Sequence, residues 1–370
     1  MDQFVCVRVT KISKLNQGLF RFDRNLTFAV MFMNARLDIY GRYGTRAGGG
    51  FIAANRPNRD TQFLATKDVS AASLRKAMKK ALQFHRKWKQ DKQKISQTLV
   101  PKLGRSYLGK RVRKPTRARF SRSNGCIHCH QVAEREIGYY WNRGKRVPDD
   151  LLWSFPMPDR LGFSCDPQEC ATVSSVASAG EAADAGLQVG DRIQRMNGQP
   201  VLSIADIQWV LDQAPKTGNL KLVVDRRGTQ EQLNLKLTEG WKQRGKFAWR
   251  YSYNELKWKV LGLDQLRNLT EVKRKQLGIQ KGESGIRIGK VITGKTRWHR
   301  ANCNLSARRV GLRGGDVILS IDGQGRLDES RFMAYILQRT KPRDRITLTI
   351  LRNGLRKKFT YPLKRLNVSP

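Results

Sequence analysis

Five consecutive positions carry the chemistry most directly readable in this chain: Cys126-Ile127-His128-Cys129-His130. Two thiols separated by two residues, with an imidazole directly after the second, have the spacing by which cysteines add to haem vinyl groups and the adjacent histidine becomes an axial iron ligand. One helical turn would present both sulfurs to the porphyrin edge. Asn124-Gly125 before the motif and Gln131-Val132-Ala133-Glu134 after it suit a loop entering a helix. The same side chains could instead form a zinc site from Cys126, Cys129 and a histidine, or a redox or inert thiol pair. Under the haem c reading, His130 is the iron ligand. Met157, in Phe155-Pro156-Met157-Pro158, is then a candidate for the opposite side of the iron, and His85 is another. Packing of Met157 on Leu151, Leu152 and Trp153 is the alternative.

The remaining cysteines suggest less. Cys165 and Cys170 lie in Cys-Asp-Pro-Gln-Glu-Cys and could close a small disulfide in an oxidising compartment or stay as two surface thiols. Cys6 reads as a buried strand thiol, and Cys303 has no visible partner. None of the four histidines has a serine or aspartate partner by motif, and neither Gly-Asn-Ser-Gly-Gly nor Gly-x-Ser-x-Gly occurs. Peptidase activity is therefore not expected.

The elements that must position these groups show a repeat. Ala185-Gly186-Leu187-Gln188-Val189-Gly190-Asp191-Arg192-Ile193, followed by Met196-Asn197-Gly198, returns 125 residues later as Val310-Gly311-Leu312-Arg313-Gly314-Gly315-Asp316-Val317-Ile318, followed by Ile321-Asp322-Gly323. A helical stretch follows each copy, with Ile204, Ile207, Val210 and Leu211 in one and Phe332, Met333, Ile336 and Leu337 in the other. Two strands joined by a turn then follow, at Arg227-Gly228 and at Asn353-Gly354. The glycines make sharp turns, the aspartate can accept from backbone amides, and Asn-Gly is a strong hairpin signal.

This succession resembles the PDZ domain in its bacterial, protease-associated arrangement. The resemblance implies capture of an extended peptide as an added strand, its C-terminal carboxylate held by backbone amides of a loop with a glycine between two apolar residues. Leu161-Gly162-Phe163 stands where the first copy needs that loop, with Ile207 and Leu211 as the facing helix positions. Leu261-Gly262-Leu263 is the nearest match in the second copy, which must then hold about 25 extra residues, placed around Arg267 to Lys281. The ligands implied are protein C-termini or extended peptides.

Upstream, Phe4 to Val9 alternates apolar with polar or small residues, Thr27 to Met33 reads as a buried strand, and Ile39 to Gly44 follows a turn. Ser70 caps a helix over 71–90 with Leu74, Met78, Ala81, Leu82 and Trp88 mostly on one face. Together with Phe22-Asp23, Leu26 to Val30, Tyr40 to Gly44, the Cys-His segment and the two repeats, these elements resemble a bacterial thioredoxin-like/PDZ family, some of whose members are selenoproteins. That resemblance implies an α+β multi-domain chain: a partial thioredoxin-like unit over 1–93, a basic linker over 94–122, a Cys-x-x-Cys-His segment over 123–158, and PDZ domains over 159–240 and 241–370. The family's redox pair would lie before Met1. A true start further upstream places the protein in the periplasm or cell envelope, whereas Met1 as the start places it in the cytoplasm.

Charge bounds the partners. There are 72 Lys and Arg against 30 Asp and Glu, a formal net charge of +42. Residues 160–239 are close to neutral, so the excess lies on either side of the first repeat, most densely from Arg86 to Arg122. Such a run attracts anionic surfaces. No helix-turn-helix, zinc finger or RNP string accompanies it, so nucleic acid is not the expected partner. The longest apolar run, Phe28 to Met33, is too short to span a bilayer. Three functions remain open: a PDZ scaffold of the envelope carrying a haem redox centre, a PDZ adaptor whose Cys-x-x-Cys-His is a metal or vestigial site, and a basic nucleic-acid-associated protein of the cytoplasm.

Overall fold

A computed structural model describes residues 3–9, 19–26, 29–44, 70–90, 129–248 and 250–366. The hairpin β1 (Val30–Met33) and β2 (Ile39–Tyr43) forms around the expected turn, in which Asn34 Oδ1 accepts the amides of Arg36 and Asp38. Helix α1 (Ala71–Gln90) starts where Ser70 predicts, with Ser70 Oγ accepting the Ser73 amide at 3.0 Å. Its apolar face, Leu74, Ala77, Met78, Ala81 and Phe84, packs on Phe32, Tyr40 and Tyr43. Tyr40 Oη lies 2.6 Å from His85 Nδ1, which ties that histidine to the hairpin.

The strand expected over Phe4 to Val9 does not form. Among the described residues no strand pairs with it, and Val5 is 94% exposed with Cys6 also exposed. Alternation alone cannot hold a strand that has no ladder partner; Phe4 packs its ring 6.2 Å from that of Phe32. The hairpin and helix rest on the first repeat, where Leu202 and Cys170 join their apolar cluster.

Helix α2 (Cys129–Trp141) follows. Of the Cys-x-x-Cys-His motif, Cys126 lies outside the described residues, and Cys129 and His130 open this helix. The stretch read as a separate segment over 123–158 supplies Ile137, Trp141, Val147, Leu152 and Trp153 to the main apolar cluster of the second repeat.

The first repeat consists of β3 (Phe163–Cys165) paired with β4 (Val173–Val176), and a sheet ordered β6-β5-β7-β8, from β5 (Arg192–Met196), β6 (Gln199–Pro200), β7 (Gly218–Arg226) and β8 (Thr229–Leu237). Helix α3 (Ile204–Gln213) packs against this sheet. The second repeat has β9 (Leu263–Asp264) paired with β12 (Lys290–Val291), and a sheet ordered β10-β11-β13-β14-β15. That sheet contains β10 (Arg267–Asn268), β11 (Ile286–Arg287), β13 (Val317–Ile321), β14 (Arg345–Arg352) and β15 (Leu355–Pro362), with helix α4 (Glu329–Arg339) on its core face. The inserted residues form β10 and a helical turn Glu271–Gln276 between β9 and β11.

One polar device recurs in both copies. Asp191, almost fully buried, accepts the Gln188 amide and a two-pronged contact from Arg226 (2.8 and 2.7 Å), while Arg226 also donates to the Gly186 carbonyl. Asp316 accepts the Arg313 amide and Arg352 in the same way (2.6 and 2.7 Å), and Arg352 donates to the Gly311 carbonyl. The repeated Gly-Asp is thus a buried acceptor that ties its loop to the last residue of β7 or β14. The arginine one position before each turn glycine pair is the sequence signal for this device.

The cysteine readings change with the fold. Cys165 lies in the core of the first repeat and Cys170 in the cluster under α1; both are free thiols rather than a disulfide or surface pair. Burial pushes the Cys165 thiol up to about 12. No helix among the described residues is long and apolar enough to cross a membrane.

Candidate functional site

The two glycine loops are built alike. A 3-10 turn, Pro158–Leu161, ends on Gly162 at φ 83°, whose carbonyl accepts the Ala177 amide at 2.7 Å. In the second copy a π-helix, Lys257–Leu261, ends on Gly262 at φ 76°, whose carbonyl accepts the Ile292 amide at 2.9 Å. Both glycines adopt the left-handed conformation that closes a helical turn and sends the chain into a strand. The registers pair Phe163 with Val176 and Leu263 with Val291. Alternate residues of an antiparallel ladder direct their main-chain groups to opposite edges. Because Gly162 and Gly262 bond inward, the main-chain groups of Phe163 and Leu263 face the outer edge. A strand added there would meet a donor and an acceptor in each copy.

The side chains expected to line the first groove do come together: Leu161, Phe163, Ile207 and Leu211 share one apolar cluster. None is more than 1% exposed. The remaining faces of α3 are covered as well. Asp212 accepts the Phe155 amide at 3.0 Å and Gln208 donates to the Phe155 carbonyl at 3.3 Å. Met157, read from sequence as an iron ligand or a linker residue on Leu151, Leu152 and Trp153, packs instead on the core of the first repeat. In the second copy, Leu261, Leu263, Phe332 and Ile336 are equally buried, in a cluster shared with Trp141, Phe247 and Tyr253. Trp141 Nε1 donates to the Ile336 carbonyl, and Ser330 Oγ accepts the amides of Phe247 and Ala248.

Sequence reasoning missed the carboxylate that joins the hairpin to α3. Asp206, wholly buried, accepts the amides of Arg42 and Leu202, each at 2.9 Å, and its Oδ1 lies 3.6 Å from Arg42 Nη1. Ser203 Oγ donates to the Arg42 carbonyl at 2.6 Å, and the Arg42 guanidinium stacks over the Trp209 ring at 4.2 Å. Burial pushes Asp206 up to about 7 against the pull of Arg42 and the backbone amides, and burial pushes Arg42 down to about 10. Between the unfolded carboxylate value of about 4 and about 7, the folded chain therefore holds a proton that the unfolded chain lacks. The contribution of Asp206 to stability is greatest below that window and falls as pH rises through it. Urea unfolding from pH 4.5 to 8 is expected to show this loss, and Asp206→Asn to flatten it; an unchanged pH profile in the variant would refute the assignment.

Comparison with known proteins agrees with the repeat. The PDZ domain family matches residues 152–225, and a second PDZ domain family matches residues 302–363. A probable periplasmic serine endoprotease, DegP-like, of Pseudomonas savastanoi pv. phaseolicola is 28% identical over 205 residues, covering 54% of this chain and 39% of that protein. The periplasmic serine endoprotease DegP of Escherichia coli K12 is 26% identical over 159 residues, 43% of this chain and 28% of that protein. The chain thus spans about two fifths of the length of the first of these relatives, and less of the second. Among solved structures, an HtrA-type protease AlgW with tripeptide matches 36% of this chain and 39% of that chain at 24% identity, with a TM-score of 0.23. The repeat read from the sequence is a tandem pair of PDZ domains.

Proposed function

We propose that this protein is a periplasmic peptide-binding scaffold that takes the C-terminal end of an extended chain as an added strand on β3, its carboxylate held at the Leu161-Gly162-Phe163 loop. The observation that carries the reading is the inward Gly162 carbonyl, which leaves the Phe163 main chain facing the open edge. The periplasmic part rests on the DegP-like relatives. The same loop at Gly262 supports a second site on β9. The basic segments would add a salt-sensitive attraction to anionic surfaces. A carboxylate in such a loop accepts charge-assisted hydrogen bonds worth about 1.5–3 kcal/mol each. C-terminal amidation of a bound peptide is accordingly expected to weaken binding by about tenfold or more, measured by fluorescence anisotropy with the full chain. Equal affinity for the free and amidated peptides would refute carboxylate capture.

The Cys126, Cys129 and His130 segment is proposed to hold haem c, with both thiols as covalent anchors and the His130 imidazole on the iron; zinc is the alternative occupant. Bound haem would supply a one-electron redox centre. Cys129 and His130 lie on α2, and a helical turn suits such an attachment. Farther along, Glu134, Ile137 and Trp141 are buried against the second PDZ domain. Protein made in a cell that matures cytochromes is expected to carry an acid-stable mass increment of one haem. Zinc without that increment would favour the adaptor reading. The thioredoxin-like reading of residues 1–93 rests on β1, β2 and α1.

A further inference from the structure

We infer that the second PDZ domain reads only the end of a bound peptide, because Asn268 and the segment inserted after it close the far end of its groove. The inference rests on the peptide-binding reading above and says how much of a ligand the second site takes.

The strand wall of that groove runs on past its carboxylate end. β9 and β10 keep one register against β12 and β11, from Leu263 opposite Val291 to Asn268 opposite Ile286. Gln265, between them, takes φ 52°. In an ordinary pleat residues two apart share a face. Here Leu263 and Leu266, three apart, are both buried in the cluster that holds α4. The changed pleat leaves Asn268 on the helix side with Leu266, and its Oδ1 accepts the amide of Glu329, the first residue of α4, at 2.8 Å. An added strand lies about 4.8 Å from its neighbour. An asparagine side chain is too short for such a strand to pass between its own backbone and a helix end that it bonds directly.

More than one contact makes the closure. Ser284, at the end of the insertion, accepts the Leu327 amide on its Oγ at 3.0 Å. Beside it, a Cβ on Gly325 would stand 2.2 Å from the Gly282 carbonyl oxygen, so the backbones of the two loops approach closely. Glu329 is tied to the near end as well, since its carboxylate pairs with Lys257 at the start of the π-helix that ends on Gly262. The first copy is built differently. Counted from the loop glycine, Gln168 corresponds to Asn268, but it lies past the end of β3 in a turn closed on Asp166. At the repeat spacing of 125, Leu327 and Glu329 correspond to Leu202 and Ile204. The Leu202 amide goes to Asp206 of the helix that follows it, at 2.9 Å. Closure by the insertion therefore belongs to the second copy.

The test uses the full chain with a tripeptide and a decapeptide that share one C-terminal sequence ending in free Val. Hydrogen exchange is titrated with each peptide and read over 161–166 and over 261–266, which separates the two sites. At the second site wild type is expected to bind both lengths equally. Asn268→Ala with Ser284→Ala is expected to bind the decapeptide about two- to tenfold more tightly than the tripeptide, the range of one net hydrogen bond. Asn268→Ala alone serves if the double variant does not fold. Asn268→Asp keeps the acceptor and is expected to stay blind to length. Length dependence at the second site of wild type, or an alanine variant that folds and stays blind to length, would overturn the closure. No protection over 261–266 by either peptide would instead overturn capture at the second loop.

Discussion

Lys259→Met is expected to destabilise the second PDZ domain by about 3–5 kcal/mol, the usual cost of removing one partner from a buried ion pair. Lys259 lies in the π-helix before the Gly262 loop and reaches Glu134 of α2 at 2.8 Å and Glu255 at 2.7 Å. All three side chains are at least mostly buried. Burial opposes the lysine charge, yet the two carboxylates outweigh it and hold its pKa above the ordinary value. Without the ammonium, two carboxylates face each other out of water. Protonation relieves that, so the loss should be larger at pH 8 than at pH 5. Because Glu134 is one turn after His130, the variant should also speed hydrogen exchange in the first half of α2. Adding Glu134→Gln and Glu255→Gln to Lys259→Met should restore most of the stability in urea unfolding. A triple variant as unstable as the single one would show that charge is not the cause.

Gly262→Ala and Gly162→Ala should part company although both glycines are left-handed. A Cβ on Gly262 would stand 2.2 Å from the Asn304 carbonyl oxygen, a main-chain atom whose residue is itself fixed by bonds to Val260 and Pro362. A Cβ on Gly162 would meet nothing nearer than Ala177 Cβ at 3.5 Å. The first substitution combines a left-handed backbone, about 1–2 kcal/mol, with overpacking of about 1–3 kcal/mol; the second has only the backbone cost. Denaturant unfolding of the two variants should therefore differ by about 1–3 kcal/mol, with the second PDZ domain the one lost. Equal destabilisation would mean that the Asn304 loop yields.

How far the residues alone reach can be judged element by element. The Gly-Asp string, the Asn197-Gly198 and Asp322-Gly323 turns and the helix cap at Ser70 act within a few residues, and each forms where its local chemistry requires. The bends at Gly162 and Gly262 were legible for the same reason, since a glycine between apolar residues at a helix end has few other conformations. The Phe4 to Val9 strand failed because alternation describes a side chain's preference and not the presence of a partner. Cys165 and Cys170 misled in a similar way: closeness in sequence did not reveal that a strand end and a loop send them to different clusters.

The cover over α3 and α4 had no sequence signature. Arg42 with Asp206 and Trp141 with Ile336 are joined across 164 and 195 residues, and nothing in either stretch names the other. Local interactions, whose partners lie within one turn, determined from sequence that two PDZ domains would fold and where each loop would bend. Only the tertiary structure decided that α3 and α4 would be enclosed by the chain upstream of them. Burial of a carboxylate or an indole is settled by which distant surface excludes water from it, and that surface exists only once the chain has folded.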